Sequence, residues 1–261
     1  MNAVLQSRQL QMQPDEWKAR VELAAAYRIF DMLGWAEMIY NHITVRLPDA
    51  VSGPDQKQFL INPFGLHYSE VTASNLLKID VQGNKLDADN PWPVNPAGFT
   101  IHAAIHENVP GAHCVMHTHT TNGLAVACTE GGLAQNNFYS AQLHDLVAYH
   151  DFEGITIHAD EAPRLLASLG QKPLMILRSH GLLAAGGTLP LTFVRLWTLQ
   201  RACDVQVTQA SLGRAVPIPE AVARKTTHDS FQFDQRFGAG QDVFDAMTRL
   251  MEQRCGTAYK S

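Results

Sequence analysis

Two short apolar runs that each end at a histidine constrain this chain more than any other feature. In the first, Cys114-Val115-Met116 leads into His117-Thr118-His119; in the second, Leu174-Met175-Ile176-Leu177 leads through Arg178-Ser179 to His180-Gly181. Runs of this length and composition read as strands. On a strand, residues i and i+2 share a face. His117 and His119 therefore present two imidazoles side by side, a reach that suits one divalent cation. His180 follows its own run as if a strand delivers a ligand and then turns. Three histidines with a fourth position open describe a catalytic zinc site better than a structural one. A histidine at a strand end is more often a hydrogen-bonded polar residue, and the chain has 12 of them. Spacing alone does not bring the two strands together.

Composition bounds the rest. The chain has 261 residues, with 46% hydrophobic and 17% charged, enough for a sizeable core in one large domain or two small ones. A net charge of −5 recommends neither nucleic acid nor an anionic membrane as partner. Cys114, Cys128, Cys203 and Cys255 form no CxxC pair and are expected to be reduced and mostly buried. The polar, Gln-rich start lacks the apolar core of a signal peptide. No apolar run approaches the roughly 18 residues needed to span a bilayer. The expected setting is soluble and cytoplasmic.

In chain order, residues 1–13 read as a flexible lead-in and 14–261 as one α/β domain. Trp17, Val21, Leu23, Ala24, Tyr27, Ile29, Phe30 and Leu33 recur at helical spacing up to Gly34. Asn41–Leu47 and Gln58–Ile61 predict a hairpin around a Pro- and Gly-containing turn. Thr72–Leu77 predicts a short helix and Lys78–Val81 a strand. A helix is expected over about Ala97–Glu107, and another from Thr120 through Ala127. Tyr149–Gly154 reads as a turn, Ile155–Ile157 as a strand, and Asp160–Leu169 as a helix closed at Gly170. Thr188–Leu212 is the longest helix, with a broad apolar face, and Gln241–Arg254 the last.

Six motifs occur in one order: Asn41-His-Ile-Thr-Val-Arg, Ile61-Asn-Pro-Phe-Gly, Asn95-Pro-Ala-Gly-Phe-Thr-Ile-His102, Val115-Met-His-Thr-His119, Val147-Ala-Tyr-His-Asp-Phe-Glu-Gly154 and Leu177-Arg-Ser-His-Gly-Leu182. In these the chain resembles the class II aldolase/adducin family over about residues 18–212, with 213–261 as an extension carrying no assignable motif. The resemblance implies a three-layer α/β/α sandwich with a central, largely antiparallel sheet. It also implies a homotetramer with sites at subunit interfaces. By position, His117, His119 and His180 match the family's zinc ligands, though imidazole also suits manganese, iron or cobalt. Tyr139 lies near the position of a family tyrosine that reaches into the neighbouring subunit's site; an ordinary core-edge aromatic is the competing role.

The chain also departs from the family pattern. Where the sugar-phosphate aldolases carry a proton-shuttling glutamate, this sequence has Gly98, which cannot transfer a proton. Positions matching their phosphate pocket read Ile39, Asn41, His42, Phe64, Pro96 and Ala97, with only Gly65 retained. A phosphate dianion needs several convergent donors, so a phosphorylated sugar is not the expected substrate.

Three readings follow. The first is a metal-dependent lyase, cleaving a carbon–carbon bond or releasing CO₂ from a non-phosphorylated carbonyl or carboxylate substrate, with His42 or His102 returning a proton. The second is a non-catalytic module like the adducin head, which the segments Asn95–His102 and Val147–Gly154 resemble more closely; under it, actin is a possible partner. In the third, the histidines are structural and any active site lies elsewhere. Glu70 is the nearest acidic substitute for the missing glutamate, with helix capping as its commoner role. His150, Asp151 and Glu153 look like a metal cluster by composition but are expected to be structural. Arg178 is a candidate for a substrate carboxylate, with a surface ion pair as its commoner role.

Overall fold

The structure, a computed structural model, describes residues 12–53, 56–155, 159–230, 232 and 238–261. Seven strands build one sheet: β1 (His42–Arg46), β2 (Gln58–Ile61), β3 (Leu77–Asp80), β4 (Cys114–Thr118), β5 (Val147–His150), β6 (Leu174–Leu177) and β7 (Gly181–Gly186). Their order is β3-β2-β1-β4-β7-β6-β5. Neighbours are antiparallel except β5 and β6, which run parallel. The helices are α1 (Pro14–Met32), α2 (Asp49–Ser52), α3 (Pro96–Asn108), α4 (Thr121–Ala127), α5 (Phe138–Ala141), α6 (Ala162–Leu169), α7 (Leu189–Ala210), α8 (Glu220–Ser230) and α9 (Gln241–Cys255).

Strand alternation sorts the apolar residues into two helix layers. On one face Ile43, Met116, Ile176 and Leu182 pack under Leu23, Tyr27 and Phe30 of α1, Phe193 and Leu196 of α7, and Phe244 and Met251 of α9. On the other, Val115, Met175 and Leu183 meet Ile101 and Ile105 of α3 and Leu165 and Leu169 of α6. The result is the expected α/β/α sandwich around a largely antiparallel sheet. Phe193 is fully buried, and burial of that size contributes roughly 2–3 kcal/mol.

α1 begins with Pro14, Asp15 and Glu16, whose fixed φ and negative charge suit a helix N-terminus. It stops before Gly34, which takes a φ of +72°. The buried Tyr27 hydroxyl fastens α1 to the sheet: it donates to the Ile43 carbonyl at 2.5 Å and accepts from the Ile43 and Asn62 amides at 2.9 and 3.1 Å.

Several expectations need correction. Thr72–Leu77 forms a turn leading into β3 at Leu77 instead of a helix, because its backbone is engaged elsewhere. The Ala73 and Ser74 amides donate to the Tyr259 and Ser261 carbonyls, and the buried Arg20 guanidinium donates to the Leu76 carbonyl at 2.7 Å. Residues 49–52, expected as turn, make the single turn of α2. The Tyr149–Gly154 turn begins later than expected, because Tyr149 and His150 belong to β5, paired in register with Ile176 and Leu177. α5 was not anticipated, and neither was β7 as a separate strand. Of the cysteines, Cys114 and Cys203 are buried but Cys128 and Cys255 are exposed. Of the strand expected at Ile155–Ile157, Ile155 lies in a bend and the other two residues, like most of the 1–13 lead-in, lie outside the described residues.

Candidate metal centre

β4 and β7 run side by side, with His117 opposite Leu183 and Thr118 opposite Leu182. That pairing brings the two histidine-bearing segments together. His180 sits at the end of the tight turn between β6 and β7. Ser179 there takes a φ of +54° and donates its amide to the Ala127 carbonyl at 3.1 Å. A Cβ on Gly181 would stand 2.2 Å from the Thr118 carbonyl oxygen. Only glycine lets the turn close this tightly against β4.

The three imidazoles converge. Ring centroids are 4.5 Å apart for His117 and His119, 4.7 Å for His117 and His180, and 4.9 Å for His119 and His180. One ligand atom from each falls within 4.8 Å of the other two, and no other such group occurs among the described residues. His117 is buried and donates from Nδ1 to the Leu182 carbonyl at 2.9 Å. That fixes its tautomer and leaves Nε2 bare, the arrangement a metal-binding histidine needs. His117 Nε2 and His119 Nε2 lie only 2.6 Å apart, so the bare His117 Nε2 either accepts an N–H from His119 or shares a cation with it. A tetrahedral zinc with bonds of about 2.0–2.1 Å holds its nitrogens about 3.3 Å apart, so one ring need swing by less than about 1 Å.

Electrostatics favour the neutral, ligating form. Burial pushes all three histidines below their ordinary pKa, His117 well below and His180 to about 4, with the neighbouring imidazoles adding to the effect at His117 and His180. Beyond His119, the buried Thr120 hydroxyl donates to Gln200 Oε1 at 2.5 Å, and Asn122 donates to Asp204 at 2.9 Å, pinning the loop to α7.

His42 and His102 lie behind the triad. The ring centroid of His42 is 5.8 Å from that of His117 and 4.2 Å from that of His102. Both are buried, which drives His42 to about 3 and His102 well below its ordinary value. Tyr139 is not brought to the triad within one chain. It is the second residue of α5, whose N-cap is Asn137, and its ring packs on Trp197 at 5.7 Å with Arg201 above it. Gly98 lies in the first turn of α3.

The remaining candidates are structural. Glu70 accepts from the His67 amide at 2.9 Å in a capping box. Arg178 donates from one Nη to the Thr129 and Glu130 carbonyls and covers the Tyr149 ring at 4.5 Å, with no acid paired to it among the described residues. His150 Nδ1 meets Ser168 at 3.0 Å, and Glu153 pairs with Arg164 at 2.8 Å. Thr44 and His106, which complete the polar cluster around His102, were missed from the sequence. The signal was present: Thr44 shares a strand face with His42, and His106 follows His102 by one helical turn.

A seven-stranded α/β/α fold with a histidine triad at the β4–β7 junction defines the class. The chain matches the family described as Class II Aldolase and Adducin N-terminal domain over residues 21–207, and it belongs to that family. It is 44% identical over 250 residues to a Pseudomonas aeruginosa protein named "Putative aldolase class 2 protein PA3430", covering 94% of this chain and 93% of that one. It is 43% identical over 197 residues to alpha-adducin of Mus musculus, covering 74% of this chain but only 26% of that much longer protein. Among solved structures, an aldolase II superfamily protein from Pseudomonas syringae superposes with a TM-score of 0.88 at 39% identity, covering 97% of this chain and 99% of the other. An L-fuculose 1-phosphate aldolase from Glaciozyma antarctica superposes with 0.81 at 28% identity, covering 95% and 93%. Among the described residues, no helix is long and apolar enough to cross a membrane.

Proposed function

We propose that the protein is a divalent-metal-dependent lyase, acting on a small non-phosphorylated carbonyl or carboxylate compound. The observation that carries this reading is the convergence of His117, His119 and His180, with ligand atoms within 4.8 Å of one another. Zinc fits the donor set best, since three neutral imidazoles, one oriented by the Leu182 carbonyl, leave an open position for substrate. When bound, the cation supplies Lewis-acid polarisation of a substrate oxygen. The chain's own contribution is to hold the three rings. It also places His42 and His102 where a proton can be moved.

The substrate class follows from what the chain lacks. Gly98 offers no carboxylate at the position where the sugar-phosphate aldolases carry a glutamate, and Phe64, Pro96 and Ala97 replace polar residues of the matching phosphate pocket. CO₂ release needs no base to begin it, which suits Gly98. Tyr139 would act from a neighbouring subunit of a homotetramer with interfacial sites, and the exposed Phe138 beside it suits such an interface. The protein would work in the cytoplasm.

Zinc- or cobalt-loaded protein tested against short hydroxy-ketones and oxo-acids should release an aldehyde or CO₂, and His117→Ala should abolish the release. Loaded protein inert to every such compound, with phosphorylated ketoses cleaved instead, contradicts the substrate class. A second reading, assembly like that of the adducin head, is favoured by the 43% identity to alpha-adducin. It predicts pelleting with actin filaments, whereas the lyase reading predicts none.

A further inference from the structure

His102 and His106 project from α3 one turn apart and meet a single hydroxyl on β1. Thr44 Oγ1 lies 2.8 Å from His102 Nδ1 and 2.7 Å from His106 Nε2, while His106 Nδ1 lies 2.7 Å from the Ala112 carbonyl oxygen. All three side chains are buried. The far end of this chain fixes the direction of every hydrogen in it. A carbonyl oxygen only accepts, so His106 Nδ1 carries a proton. Burial lowers His106 to about 4 and keeps it neutral, so its Nε2 is a lone pair and the Thr44 hydroxyl donates to it. With its one hydrogen spent, Thr44 Oγ1 accepts from His102 Nδ1–H. His102 is neutral for the same reason, so its Nε2 is bare. That atom is buried and has no hydrogen-bond partner among the described residues, and His42 Nδ1, on the ring beside it, has none either. Buried nitrogens are rarely left so.

We propose that Thr44 and His106 are positioning residues that lock His102 in its Nδ1–H tautomer, making Nε2 a ready acceptor beside His42 for a hydroxyl donor. In the resting protein that donor is water; in turnover it is a substrate hydroxyl. This link to turnover rests on the lyase reading, whereas the tautomer does not. The lock also sets the role of His102. The one N–H of neutral His102 is held by Thr44, so His102 acts by accepting at Nε2.

The test is the tautomer itself. Long-range ¹H–¹⁵N spectra of histidine-labelled protein, without metal and again with zinc, report which ring nitrogen carries the proton. His102→Gln assigns the signal by removing it. His102 should show a protonated Nδ1 and a bare Nε2, the reverse of the tautomer that free histidine prefers. Thr44→Val should release the lock and give Nε2–H or a mixture, and Thr44→Ser, which keeps the hydroxyl, should restore it. A protonated Nε2 in the unmodified protein, or an unchanged signal in Thr44→Val, overturns the proposal. Should Thr44→Val fail to fold, the unmodified protein and Thr44→Ser decide, since both must show the bare Nε2. A confirmed tautomer in a protein without lyase activity would sink the lyase reading and leave the lock standing.

Discussion

His42 and His117 face each other directly across the antiparallel β1–β4 pair, with ring centroids 5.8 Å apart. The register ties a ligand of the proposed metal to the imidazole best placed to move a proton. His42 is not one of the three converging ligands. His42→Ala should therefore leave metal content near its original value while turnover falls by roughly 10²–10⁴-fold, the usual weight of a general acid or base. Metal analysis and kcat on the same preparation separate the two effects. Loss of metal together with activity would make His42 a ligand instead.

Gly181→Ala tests the turn that delivers His180. A methyl group 2.2 Å from the Thr118 carbonyl forces β7 away from β4. The expected cost is at least about 2 kcal/mol, at the upper side of overpacking, together with weaker metal binding. Urea unfolding measures the first and competition with a chromogenic chelator the second.

Acid should destabilise the fold through its buried histidines. His106 has a folded pKa of about 4 against an ordinary value of 6.5, with burial as the main cause. Between those values the unfolded chain binds a proton that the folded chain does not. Stability present above about pH 6.5 is therefore lost as pH falls toward 4, by up to roughly 3 kcal/mol from this residue. Urea midpoints at pH 7.5, 5.5 and 4.5 should fall in that order, and His106→Gln should make the dependence shallower, the other buried histidines carrying the rest. A midpoint independent of pH over this range contradicts a neutral buried His106.

The lyase reading predicts coupling between metal and stability. A ligand that binds only the folded state at 100 times its dissociation constant adds about 2.7 kcal/mol. Thermal unfolding with zinc, and again after chelation, should show the difference in the unmodified protein and none in His119→Ala.

Much of this was legible in the chain because apolar runs and turn residues agree locally. The Cys114–Met116 run before His117, the Gly34 stop and the long apolar face ending near Leu212 each pointed to the element that forms. The misses have physical causes. Thr72–Leu77 has a helical pattern, but its backbone groups are taken by Arg20 and by the residues around Tyr259, contacts far away in sequence. Val147–His150 is four residues long, too short for periodicity to tell a strand from a turn. Arg178, expected on the His180 strand face, belongs instead to the turn, where one Nη donates to two carbonyls. The meeting of His180 with His117 and His119 depends on β7 folding back beside β4, a pairing that no local pattern encodes.

The central claim is that three imidazoles from two separate segments share one cation and leave part of its coordination open. Cobalt(II) titration followed by visible absorption tests it most directly. The account predicts one cobalt per chain, with the intense bands of a four-coordinate ion that shift when a small anion or oxo-acid is added, and no such bands in His117→Ala or His180→Ala. A site that takes no cobalt, or one whose spectrum ignores every added ligand, would contradict it.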